Sequence, residues 1–530
     1  MRPGSCESRI RQPSKVLGDM STHHHRPLDG ADALMALALG GMVIVWTLLM
    51  AVSHSAPDLD GMEELVWAVS LEWGYTKHPP LPSWLLHGLT QLLGRPLWLP
   101  FLAGMSASAA ALWFLWLLGR EFTTPAKSAV GVLLVSISLY FSIRGTIYNH
   151  NTAQLWSVAA SIWLFYRALR YQLRSTWIWL GVVCALSILT KYSAVIQFTA
   201  FFLFMLRHGS FRDRRNIEGV GLALLAFCAI LLPHVLWLVD VNFAPFRYAG
   251  DSLDSGGRLE ALKDTMSFVG NQLARLSPML LGWLAWKWWE RRRPTTRPGS
   301  GNGGNWAKQL TPWDRSFLIW VGLAPSLATL LVSVLLGTRL EAAWGTTFFV
   351  LWGFFLFWWI QGDEKETLRR IAIVVIALQL TMALGYALAR GPLAWMSGRT
   401  ARSTFPGAEI SATLNGIWSR HLPDTPLRVV ASDTWLGGNI ALNSGTDVQV
   451  FINGRPEESP WLDAEQTMRC GLLVVYSRVT RRGAEPAPEL LALAQQAQWS
   501  GLAEQRWSSA SSPLIDLHWA IIAPTQRCDE

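Results

Sequence analysis

The segment ALMALALGGMVIVWTLLMAV, Ala33 to Val52, carries no charged side chain and is long enough to cross about 30 Å of hydrocarbon as a single helix. Its reading decides the fold, because similar apolar windows recur along the chain. We place about eleven: Ala33–Val52, Leu97–Leu118, Ala129–Ile143, Thr152–Tyr166, Trp177–Leu189, Tyr192–Leu206, Val220–Val239, Phe268–Trp288, Phe317–Leu336, Ala342–Ile360 and Ile371–Ala389. Composition agrees. Of 530 residues, 51% are hydrophobic, 30 are tryptophan and only 15% are charged, too few charges for an ordinary soluble enzyme. The expected fold is an all-α polytopic membrane protein with a small α/β domain at its C-terminal end.

Short loops rich in Lys and Arg stay cytoplasmic. With the N-terminus inside, Arg120 and Lys127, Arg167, Arg170 and Arg174, Arg291 to Arg293, and Lys365, Arg369 and Arg370 fall in the cytoplasm. The alternate loops hold most of the acids, among them Asp58, Asp60, Glu63, Glu64, Glu72 and Glu341, and face the exterior, a periplasm. The net charge of +8 is this positive-inside signature, so membrane lipids and not nucleic acid are the expected surroundings. Residues 1–30 read as a cytoplasmic tail before an uncleaved start-transfer helix. Residues 31–390 form the membrane domain, with a flexible cytoplasmic loop at Arg291–Trp306.

In the mildly acidic tail, 391–530, helical stretches at Ala408–His421 and Glu489–Trp499 alternate with β-type runs at Arg428–Ser432, Val448–Ile452, Leu472–Ser477 and His518–Ala523. This is a small periplasmic α/β domain by the same topology. A disulfide is permitted there, and whether Cys470 and Cys528 pair stays open.

The loop from residue 53 to residue 96 carries the chemistry. Met62, Leu65, Val66, Val69 and Trp73 recur at helical spacing, giving a helix suited to the membrane interface, with Asp60, Glu63 and Glu64 near its start. Capping and solvation alone would account for those acids. The sequel GYTKHPPLPSWL, Gly74 to Leu85, adds a second feature: prolines at 79, 80 and 82 forbid a helix and hold Lys77 and His78 on a stiff turn. Carboxylates beside fixed cations suit a site that binds an anionic lipid headgroup and deprotonates an acceptor.

The run Asp60-Gly-Met-Glu63-Glu64-Leu-Val-Trp67, then Gly74-Tyr75 and Pro79-Pro80-Leu81-Pro82-Ser83-Trp84-Leu85, resembles the first external loop of bacterial family 39 glycosyltransferases, the protein mannosyltransferase-like group of the GT-C superfamily. Lipid A aminoarabinose transferases share the loop design. Further segments are similar in the same order: Ile147 to Thr152 with Asn149, His150 and Asn151, then Leu189-Thr190-Lys191-Tyr192-Ser193, then Arg339 to Gly345 with Glu341. Trp435 to Asn439 and Ser459 to Asp463 extend the similarity into the tail.

The resemblance implies transfer of a sugar from a polyprenyl phosphate to an envelope lipid, glycan or protein on the outer face of the inner membrane, with inversion. It implies Asp60 as catalytic base with Glu63 as substitute, and substrate binding by Lys77, His78, Asn149, His150, Asn151, Lys191, Arg339 and Glu341. His150 stands where relatives carry a second Asp, and His78 where the aminoarabinose enzymes carry Lys. Asp60, Glu63 and His78 could hold a divalent cation, although no ligand spacing compels one and no other cofactor is expected. A multi-pass transporter or lipid flippase is the rival reading; it calls for polar residues at the midplane and internal repeats, whereas the polar groups cluster on external loops.

Overall fold

The structure is a computed structural model that describes residues 29–253, 257–293, 304–445, 448–480 and 483–526. Thus most of the tail 1–30, much of the loop 291–306 and Cys528 lie outside the described residues. The chain is mostly helical. α1 (Gly30–Ser53) starts from Asp29, whose side chain accepts from the Ala31 and Asp32 amides in a capping box with Asp32. The loop 53–96 folds into α2 (Leu59–Trp67) and α3 (Leu81–Leu93). There follow α4 (Leu99–Phe122), α5 (Pro125–Ser136), α6 (His150–Tyr171), α7 (Arg174–Thr190), α8 (Ala194–Arg207) and α9 (Arg214–Asp240). Next come α10 (Ala244–Leu253), α11 (Arg258–Arg292), α12 (Pro312–Leu336) and α13 (Glu364–Arg390).

By length and composition, 5 helices among the described residues are apolar enough to span a bilayer: α1, α4, α9, α12 and the stretch Glu364–Met396. α5, α7 and α8 are apolar but shorter. Two expected spans differ from the sequence reading. The one at Ala129–Ile143 stops being helical at Ser136, and the chain turns through a 3-10 segment at Arg144–Thr146. The one at Ala342–Ile360 is broken into 3-10 turns around the four-residue helix Trp352–Phe355. Its apolar character is that of a core: Leu351, Phe354, Phe357 and Ile360 are all buried. Irregular backbone survives at membrane depth only where protein covers it, and here it does.

The helix ends segregate. At one end Arg120 of α4 pairs with Asp29 and Asp32 at 2.8 and 3.0 Å, Arg167 pairs with Glu121 at 2.5 Å, and the Tyr166 hydroxyl donates to Asp314 at 2.8 Å. At the other end the Ser55 amide donates to Ser403 O at 2.8 Å, and the first residues of α6 meet the last of α7. Arg120 and Arg167, assigned to one side by charge pattern, lie at the same end of the helices, away from the loop 53–96.

The C-terminal domain is a five-stranded mixed sheet, β1 (Val429–Ser432), β2 (Gln449–Ile452), β3 (Leu472–Tyr476), β4 (Trp499–Arg506) and β5 (Leu514–Ile522), in the order β2-β1-β3-β5-β4. β1 runs parallel to β2 and β3, while β5 is antiparallel to β3 and β4. Two helices, α14 (Gly407–His421) and α15 (Thr434–Ser444), pack against it. The expected strands match, but the helix expected to reach Trp499 ends at Gln495, and Trp499 opens β4 instead. β4 is a polar edge strand whose residues are exposed or half-buried, so it lacks the apolar alternation that marks a strand in sequence. Cys470 is disulfide-bonded.

The domain docks directly on the loop 53–96. Gly438 of α15 lies so close to α2 that a Cβ there would sit 2.6 Å from Met62 Cγ and Sδ and 2.9 Å from Val66 Cγ2. The Trp435 indole N–H donates to Pro57 O at 3.4 Å, and Arg402 pairs at 3.1 Å with Asp58, the residue that caps α2.

Candidate active site

The turn after α2 is built around glycine and aromatic contacts. Gly74 leaves room for Trp237 of α9, whose ring carbon would lie 2.3 Å from a Cβ. The His234 ring donates from Nδ1 to Trp73 O at 2.6 Å, and the Trp84 indole donates to Glu72 O at 2.7 Å. Tyr75 stacks on Trp67 with ring centroids 4.9 Å apart, and its amide donates to His78 O at 3.0 Å, closing the turn that presents Lys77 and His78.

The start of α6 ties this loop to the end of α7. Asn149 caps α6: its Oδ1 accepts from the Asn151 and Thr152 amides, both at 2.9 Å, so its NH2 group faces outward and donates to Asp60 Oδ2 at 2.8 Å. Asn151 Oδ1 accepts from Lys191 Nζ at 2.5 Å, which turns the Asn151 NH2 toward His150 Nε2 at 3.1 Å. His150 Nε2 is therefore the acceptor, and that ring is neutral with its proton on Nδ1. Asp60, Asn149, Asn151 and Lys191 form one connected polar chain across the N-terminus of α6, where the helix dipole favours an anion.

Charge is distributed unevenly along it. Burial drives the Lys191 pKa down to about 7, with the nearby Asp60 charge opposing that fall. His78 lies against His150 with ring centroids 3.7 Å apart. Burial lowers the His78 pKa to about 3, aided by Lys191 and Lys77, and pushes His150 well below its ordinary value. Lys77 is already partnered: its Nζ lies 2.5 Å from Glu63 Oε1, and although burial opposes its charge, Glu63 holds it above the usual lysine range. Lys191 is the cation whose partner is a neutral amide.

Arg339 and Glu341 stand apart from this chain. They pair with each other at 2.7 Å on a half-exposed turn, and the following segment docks on α11 through Gln272 and Arg275, which donate to Ala342 O. Among the described residues no three His, Cys, Asp or Glu side chains converge to hold a metal ion. Asp60 turns to Asn149, Glu63 to Lys77 and His78 to His150. A cleft of about 470 Å³ between the end of α1 and the C-terminal domain is lined by His54, Trp395, Glu409, Arg506 and Trp507, and includes neither Asp60 nor Lys191.

The sequence reading named Glu64 among the acids of the loop but gave it no role. Glu64, 3% exposed, accepts from the Ser83 hydroxyl at 2.7 Å and so clamps α2 to α3. Burial raises its pKa to about 8, with Glu63 and Asp60 adding to the shift. Tyr148, also buried, donates from its hydroxyl to Pro82 O at 2.7 Å, fixing the proline turn against the approach to α6. The available signal was the adjacency of Glu63 and Glu64: neighbours on a helix point about 100° apart, so at most one could face the Lys77 side.

The chain is similar in sequence and in fold to known proteins. Residues 77–237 match the dolichyl-phosphate-mannose-protein mannosyltransferase family. The chain is 24% identical over 493 residues to the lipopolysaccharide core galacturonosyltransferase RgtA of Rhizobium johnstonii, covering 90% of this chain and 93% of that protein. It is also 24% identical to the lipopolysaccharide core galacturonosyltransferase RgtB of the same organism, over 86% of this chain and 89% of that one. The crystal structure of ArnT from Cupriavidus metallidurans bound to undecaprenyl phosphate superposes with a TM-score of 0.54 at 13% identity, covering 94% of this chain and 100% of that one. That likeness shows a common fold.

Proposed function

We propose that the chain is a membrane glycosyltransferase of the mannosyltransferase-like GT-C kind, and that it moves a sugar from a polyprenyl phosphate to a hydroxyl of an envelope acceptor. In this reading the chain crosses the inner membrane about eleven times with its N-terminus inside. The external loop and the C-terminal domain face the periplasm. The two galacturonosyltransferase relatives favour a uronic acid as the sugar and the lipopolysaccharide core as the acceptor.

One observation carries the proposal: Asp60 and Lys191, far apart in the chain, are joined through Asn149 and Asn151 at one helix N-terminus. Asp60 would take the proton of the acceptor hydroxyl as its oxygen forms a bond to the anomeric carbon. The bond from that carbon to the phosphate oxygen breaks on the opposite face, giving inversion. The leaving polyprenyl phosphate gains a negative charge, which Lys191 and the positive end of the α6 dipole would stabilise. Neutral His78 and His150 would supply hydrogen bonds without adding positive charge. Lys77, held by Glu63, would take part in phosphate binding only by exchanging that partner.

The test is direct. Purified protein in bilayers, given a labelled undecaprenyl-phosphate sugar and lipopolysaccharide, should transfer label. Absence of turnover with every lipid-linked donor tried would overturn the proposal.

A further inference from the structure

The C-terminal sheet has an edge that this chemistry leaves unused. β1, β2 and β3 are parallel, so their carboxyl ends lie together, and the order β2-β1-β3 reverses direction at β1. In open α/β sheets, ligands bind in the crevice outside the carboxyl ends at such a reversal. Three polar atoms here are buried without a hydrogen-bond partner: Ser432 Oγ at the end of β1, on a residue with 0% exposure, Asn453 Oδ1 just after β2, and Trp461 Nε1 farther along the same connection. Native interiors rarely leave such atoms unpaired, so each calls for an explanation.

Their directions are constrained. Asn453 adopts φ 55°, a left-handed conformation that asparagine tolerates, and its Nδ2 donates to Glu458 Oε2 at 2.8 Å. Its carbonyl oxygen is thus left for another donor. Glu458 is held on its other oxygen by Arg455 at 3.1 Å. The edge faces the reacting loop: the Trp461 ring meets Tyr75 edge-on at 6.5 Å, and Glu458 lies close enough to act electrostatically on both Glu63 and Lys77.

We infer that this edge is the acceptor subsite, in which Asn453 Oδ1, Trp461 Nε1 and Ser432 Oγ receive the hydroxyls of a glycan beside the turn that carries Lys77. The three atoms are an acceptor, a donor and a group that does either, which matches sugar hydroxyls. A phosphate only accepts and could not satisfy Asn453 Oδ1. This inference rests on the transferase reading, since it is the acceptor of that reaction that the edge would hold.

The experiment uses the full chain in bilayers and two mild substitutions. Trp461→Phe keeps the ring against Tyr75 and removes the N–H; Asn453→Gly keeps the left-handed backbone and removes the amide. With rough-type lipopolysaccharide as acceptor, each should raise the acceptor KM about 5- to 20-fold, as expected for one lost hydrogen bond to a desolvated partner. Affinity for undecaprenyl phosphate should stay within about twofold. An unchanged acceptor KM in both variants, or a parallel fall in undecaprenyl phosphate affinity, overturns the assignment. Core oligosaccharide binding, followed by tryptophan fluorescence, separates the two readings. If the wild-type protein binds the oligosaccharide and both variants bind it at least fivefold more weakly while no sugar is transferred, the subsite stands and the transferase proposal falls.

Discussion

Glu64→Gln is the perturbation whose consequence follows most directly from the structure. The Glu64 carboxyl is 3% exposed, meets only the Ser83 hydroxyl, and has its pKa raised from 4.5 to about 8 by burial. The folded protein therefore keeps this proton up to about pH 8, whereas the unfolded chain releases it above 4.5. Between those values the native state binds more protons, so stability must fall as pH rises, at about 1.4 kcal/mol per pH unit. The loss from this one group reaches about 3 kcal/mol by pH 7 and is complete above pH 8. Glutamine has the same shape, accepts the same hydrogen bond from Ser83 and does not titrate.

Unfolding in detergent micelles, followed from pH 5 to 8.5 for both proteins, should show near-equal stability at pH 5 and a variant more stable by about 2–4 kcal/mol at pH 8. Glu64→Ala, which leaves Ser83 unpaired beside a cavity, should be less stable than the glutamine variant throughout, by about 2–4 kcal/mol. Parallel pH dependence in wild type and Glu64→Gln would refute the reasoning, because it would mean that Glu64 is ionised in the folded protein.

Lys191→Met should weaken undecaprenyl phosphate binding by about 10- to 100-fold, the worth of a buried charge-assisted hydrogen bond, in a lipid-binding titration. With its pKa near 7, Lys191 loses its proton as pH rises, so wild-type donor affinity should fall above pH 7, and Lys191→Arg should flatten that dependence. Gly438→Leu drives a side chain into Met62 and Val66 and should cut transfer at least tenfold by displacing α2, with the C-terminal domain becoming easier to cleave in limited proteolysis. Arg339→Ala breaks only a half-exposed pair and should change the transfer rate less than threefold.

What could be read in the sequence was set by periodicity and charge. Long apolar runs and loop arginines gave the helical membrane domain, and proline chemistry isolated the turn carrying Lys77 and His78. The β-branched runs Val429–Ser432 and Leu472–Tyr476 gave the parallel strands. Hydropathy could not tell a regular helix from the buried 3-10 turns found at Ala342–Ile360, since both are simply apolar. The helix Thr434–Ser444 stayed hidden because Gly437 and Gly438 look like a turn until α2 is seen against it. The family resemblance pointed to Asp60, Asn149, Asn151 and Lys191, but their pairing did not follow from it or from spacing. It depends on how α6 and α7 meet, as does the capture of Lys77 by Glu63.

The central claim is that Asp60 is the base in sugar transfer from a polyprenyl phosphate. The decisive measurement is the transfer rate of Asp60→Asn, which keeps a partner for Asn149 and removes the proton acceptor, with undecaprenyl phosphate affinity measured on the same preparation. The expected rate is lower by about 10²- to 10⁴-fold at an affinity within about threefold of wild type. Transfer at the wild-type rate with binding intact would contradict it.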